Sequence, residues 1–154
     1  MLRKLINICL ALQNKCLHAF VLSPKLACLG LGMLLTSALP PFYQIWVIFP
    51  SLAIALYLCC QTDSLKRLIG LGYWFGFGFF AVGFYWIGNA LLVDMAKTGW
   101  LCPIALFCNG AFFGIFVIFP FAVTKLSKNI WAKMFLFSAL WVLAGEWFRG
   151  IFLT

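Results

Sequence analysis

Long apolar runs separated by short polar gaps make up the chain from about residue 26 onward. Four runs, 43–60, 68–92, 101–124 and 130–154, approach or exceed the ~17–25 residues a helix needs to cross the hydrocarbon core at 1.5 Å per residue. A fifth, 26–39, is shorter and stops at Pro40-Pro41, a pair that cannot continue a helix. Short connections make sequential helices antiparallel neighbours. The pattern therefore predicts an all-α fold, a polytopic transmembrane helix bundle of about five spans within residues 25–154.

Residues 1–24 read differently. At 100° per residue, Arg3, Lys4, Asn7, Asn14, Lys15 and His18 fall within an arc of about 120° and Leu, Ile, Phe and Val fill most of the rest. An amphipathic helix lying in the membrane interface is expected there. A cleaved signal peptide is the rival reading, but no A-x-A-like site follows and Lys15 interrupts the apolar run.

Composition changes the picture in one respect: the solvent. With 66% hydrophobic and 9% charged residues against roughly 25% charged in a soluble domain, 154 residues cannot hide their apolar surface from water. The net charge of +8 does not point to nucleic acid, because the basic residues sit in gaps between apolar runs and form no basic face. Arg3, Lys4, Lys15 and Lys25 precede the first run, Lys66 and Arg67 the third, and Lys125, Lys128 and Lys133 surround the start of the last. That is nine of the eleven basic residues in alternate positions, which predicts a cytoplasmic N-terminus and, after five crossings, an external C-terminus.

The seven cysteines form no C-x-x-C pair and His18 is the one histidine, so neither a metal site nor a cofactor is expected. Gly72, Gly76 and Gly83 project within about 40° of one another on a helix, and Gly110 and Gly114 repeat the G-x-x-x-G spacing. Such small-residue stripes either bring two helices into close contact or leave a groove for a lipid chain. Tyr85, Trp86 and Asn89 stand toward the outer end of their run, positioned to anchor in the interface or to meet a headgroup or peptide. Glu146, the one acidic residue inside a run, has Arg149 three residues on, at the spacing of an intrahelical ion pair. The pair either fixes helix packing or binds a substrate headgroup. No nucleophile, base and orienting group assemble with a recognisable spacing.

In order along the chain, Leu39-Pro40-Pro41-Phe42-Tyr43 with Trp46, the run from Gly72 through Gly76 and Gly78 to Tyr85-Trp86, and Trp141 with Glu146-Trp147-Phe148-Arg149-Gly150 resemble apolipoprotein N-acyltransferase. The resemblance covers about residues 26–154, the N-terminal membrane part of that enzyme. It implies an inner-membrane protein of a family that moves a fatty acyl group from phospholipid to the N-terminal cysteine amine of lipoproteins. The family's catalytic glutamate, lysine and cysteine belong to a nitrilase-like domain that no position here matches, so no catalytic residue carries over. The expectation is a truncated or split member, inactive alone, partnered by the phospholipid bilayer and by a separate chain carrying the nitrilase-like domain. Two other classes stay open: a small membrane transporter with Glu146 as its ion or proton site, and a structural bundle packing through its glycine faces.

Overall fold

The computed structural model describes residues 23–91 and 95–152; the amphipathic helix expected over residues 2–22 lies outside them. The described residues are helical, with no strand among them. We number the helices α1 (Pro24–Leu35), α2 (Ile48–Cys60), α3 (Leu65–Gly83), α4 (Tyr85–Leu91), α5 (Met95–Thr98), α6 (Cys102–Phe113), α7 (Ile118–Val123) and α8 (Ile130–Phe152).

Where the chain starts and stops these helices follows from its punctuation. Pro24 opens α1 at a position whose N–H has no intrahelical partner. The Thr36 and Ser37 hydroxyls close it by donating to the Met33 and Leu34 carbonyls at 2.6 and 2.7 Å. The Asn129 side-chain oxygen accepts the Trp131 N–H at 3.1 Å and so caps the start of α8. Three internal prolines leave a common trace. Pro50, Pro103 and Pro120 each follow closely on a 3-10 turn, at Ile45–Val47, Gly99–Leu101 and Gly114–Val117. A proline offers no N–H to the carbonyl four residues back and its ring crowds that carbonyl, so the preceding turn tightens.

The run expected over 68–92 is interrupted. α3 ends at Gly83, Phe84 takes φ −95° and ψ 24°, and α4 restarts at Tyr85. By contrast Gly99–Leu126 is one continuous helical stretch of 28 residues, long and apolar enough to cross a membrane and mostly unburied. The core helix of a water-soluble protein would be mostly covered. Pro24–Ala38 and Ile45–Cys60 are shorter apolar helices.

α3 is the central rod. It packs on α1 along one side and on α6, the Gly114–Val117 turn and α7 along another, while α8 lies against α7. Leu68, Leu71, Phe75 and Phe80 of α3 are buried. Phase and partner meet at Phe75, which is fully buried with its ring centroid 5.5 Å from Phe121 and 5.8 Å from Trp141. Phe137 lies 5.3 Å from Phe121 and stacks at 6.0 Å on Trp141, so one aromatic cluster ties α3, α7 and α8 together. Outward-facing rings are as conspicuous: Trp46, Phe107, Trp131 and Phe135 are each more than 60% exposed.

The helix ends bearing alternate basic groups lie together. Cys59, near the end of α2, has Cys28 of α1, Thr124 and Lys133 of α8 as its side-chain neighbours, and the Lys25 side chain reaches across to Gly70 on α3.

Candidate functional site

The glycine positions divide between two contacts of α3. A Cβ on Gly76 would stand 2.9 Å from the Gly114 Cα and 2.8 Å from the Val117 Cβ, and one on Gly72 would stand 3.0 Å from the Ile118 Cα. Reciprocally, a Cβ on Gly110 would stand 3.0 Å from the Phe77 carbonyl oxygen and one on Gly114 3.0 Å from the Phe77 nitrogen. These four positions hold α3 close against the Gly99–Leu126 stretch, most tightly at Gly76 and Gly110, where an added Cβ would force its neighbours to shift.

Gly83 does not join them. A Cβ there would meet the Leu39 and Thr36 side chains at 3.5 Å, ordinary contact distance, at the end of α3 beside the turn after α1.

Gly32 and Gly78 form a tighter contact than any of these. A Cβ on Gly32 would collide with the Phe75 carbonyl oxygen and one on Gly78 with the Leu29 carbonyl oxygen. Hydropathy alone does not reveal this crossing. The small residues Cys28, Gly32 and Thr36, four apart, are the signal that could have found it.

At the Gly83 end the proline motif and the tyrosine–tryptophan motif come together. Thr36, Leu39, Pro41, Phe42, Gly83 and Tyr85 line a cleft of about 220 Å³. The Pro40-Pro41 peptide is cis, and Tyr43 has φ 51°, a left-handed conformation that costs a side-chain-bearing residue about 1 kcal/mol. The Gln44 N–H donates to the Ser37 carbonyl at 2.9 Å, and the Tyr43 N–H to that of Leu39 at 3.2 Å, so backbone bonds hold the turn over the cleft. Tyr85 and Trp86 are 45% and 58% exposed beside it, with Trp86 edge-on to Phe84 at 6.2 Å. The volume is below the ~300–1,000 Å³ of small-molecule pockets.

Glu146 lies on an exposed part of α8, and Arg149 follows less than one turn later in that helix. The pairing of their side chains, and the side chain of Asn89, fall outside what is described. No cluster of three or more His, Cys, Asp or Glu able to hold a metal occurs among the described residues.

Residues 31–154 match the family model described as the apolipoprotein N-acyltransferase N-terminal domain. The chain belongs to that family. Relatives named apolipoprotein N-acyltransferase include one from Rhodopseudomonas palustris, 35% identical over 128 residues that cover 80% of this chain and 24% of the relative. Another from Rickettsia bellii is 34% identical over 134 residues, covering 85% of this chain and 26% of the relative, and one from Brucella suis is 33% identical over 132 residues, covering 80% and 25%. The chain thus spans about a quarter of the length of these relatives. No solved structure matches it. As an apolipoprotein N-acyltransferase N-terminal domain, it carries the glycine contacts of α3, the aromatic cluster around Trp141 and the cleft over Gly83 within the matched region.

Proposed function

We infer that this chain is the membrane-embedded scaffold of an apolipoprotein N-acyltransferase. Its five apolar stretches cross the inner membrane from a cytoplasmic N-terminus, and α4 brings Tyr85 and Trp86 to the outer face. The acyl transfer, from phospholipid to the N-terminal cysteine amine of a lipoprotein, is carried out by a nitrilase-like domain working on this scaffold. The cleft bordered by Leu39, Phe42, Gly83 and Tyr85 holds part of an acylated substrate at that face, and the Glu146–Arg149 segment helps position the headgroup.

The observation that carries this reading is the family match over residues 31–154. It is supported by the apolar, sparsely buried stretch Gly99–Leu126 and by the gathering of the Lys25 and Lys133 ends of their helices on one side. The test is to express the chain with a segment supplying the remainder of a relative, in cells depleted of their own N-acyltransferase, and to read lipoprotein N-termini by mass spectrometry. Three acyl chains on the cysteine are expected with both segments and two with either alone. Two acyl chains in every case, with both segments present in the membrane, would overturn the reading.

A further inference from the structure

A second, larger cleft lies at the opposite end of the bundle from the Gly83 cleft. It has a volume of about 880 Å³, and α1, α2 and α3 each supply one wall. On α3 the wall is Arg67, Leu71 and Trp74, at i, i+4 and i+7, a single helix face that runs about 10 Å from the guanidinium end inward. Lys25 of α1 closes the rim opposite, its stem lying against Gly70 with the Cε 3.4 Å from where a Cβ would be. Leu58, 6% exposed, and Leu71, 3% exposed, form the floor with Trp74.

Polarity therefore falls with depth. Two cations from different helices stand at the mouth, and no acidic side chain lines the cleft among the described residues. A guanidinium and an ammonium at one mouth suit a phosphate, which accepts the planar fork of the first and the point charge of the second. Apart from the Trp74 indole N–H the floor is apolar, and it covers a hydrocarbon chain. A free anion would use the rim and leave the floor empty, whereas a phospholipid matches both in the order in which they occur.

We propose that this cleft binds a phospholipid with a net negative headgroup, its phosphate between Lys25 and Arg67 and an acyl chain on Leu58, Leu71 and Trp74. The proposal rests on the membrane-embedded reading but not on acyl transfer. On that reading the site faces the cytoplasmic leaflet, away from the Gly83 cleft, and the lipid is retained rather than consumed.

The test uses the full chain in nonionic detergent, with phosphatidylglycerol or phosphatidylcholine carrying brominated acyl chains as quenchers of tryptophan fluorescence. W74F identifies the component that belongs to the cleft. Half-maximal quenching of that component should need at least roughly fivefold less phosphatidylglycerol than phosphatidylcholine, the scale of one cation at a lipid surface. K25Q/R67Q should bring the two lipids to the same value, while K66Q, outside the lining, should keep the preference. The lysine and arginine side chains replaced are exposed, and unchanged helical circular dichroism establishes that the variants are folded. Equal quenching by both lipids in the unsubstituted chain, or a preference that survives K25Q/R67Q, would overturn the proposal. So would displacement of the brominated lipid by inorganic phosphate alone, which would make the site one for a small anion.

Discussion

Two glycines in one turn of α1 have opposite surroundings. A methyl group added at Gly30 would meet nothing within 4 Å, whereas one added at Gly32 would run into the Phe75 carbonyl oxygen and the Phe79 nitrogen. Gly30→Ala should be neutral or stabilise by up to about 1 kcal/mol through helix propensity. Gly32→Ala should cost about 1–3 kcal/mol or more, because backbone atoms on α3 cannot step aside as a flexible side chain would. Unfolding of the detergent-solubilised chain by sodium dodecyl sulfate, followed by circular dichroism, gives both values. Ser51 is another residue with a clear expectation. Its hydroxyl is fully buried and has no hydrogen-bond partner among the described residues, so Ser51→Ala should leave stability unchanged or raise it by up to about 1–3 kcal/mol in the same titration. The Gly76–Gly114 approach is legible in the sequence because four-residue spacing marks a helix face. The Gly32–Gly78 contact is fainter, since neither glycine has a second one four residues away and only the small residues Cys28 and Thr36 continue the Gly32 face.

At the scale of elements, apolar length locates the helices well and their interiors poorly. The expected ends at Cys60 and before Pro40 agree with α2 and with the turn after α1, where glutamine, threonine or proline ends the apolar run. The break at Phe84 has no such marker, as a bulky aromatic there reads as more of the same helix. Nor does hydropathy register the 3-10 turns ahead of Pro50, Pro103 and Pro120, which arise from a missing donor and not from a change in polarity. Asn129 is one more polar residue in a gap by hydropathy, yet its side chain supplies the first acceptor of α8. Asn129→Ala should lower stability by about 1 kcal/mol and Asn129→Asp by much less, measured by the same unfolding titration.

For the whole molecule, the arrangement explains why a chain with 66% hydrophobic residues shows rings such as Trp46, Phe107, Trp131 and Phe135 on its outside. On the proposed membrane-embedded reading, lipid is the medium for those faces, while glycine contacts, the aromatic cluster and aliphatic residues such as Leu31, Leu58 and Leu71 pack the interior. The family's chemistry, by contrast, is not legible from spacing or charge here, because none of its catalytic groups matches a position in this chain. It enters through the order of the Leu39–Tyr43, Gly72–Trp86 and Trp141–Gly150 motifs, and the structure sets the first two side by side at one cleft. The central claim is that these helices thread a membrane alternately, with the Lys66 and Lys128 loops inside. Alkaline phosphatase, active only outside the cytoplasm, tests this most directly when fused separately after Asp63, Lys97, Lys128 and Thr154. The account predicts activity after Lys97 and Thr154 and none after Asp63 and Lys128; a stable but inactive fusion after Thr154, or activity after Asp63, would contradict it.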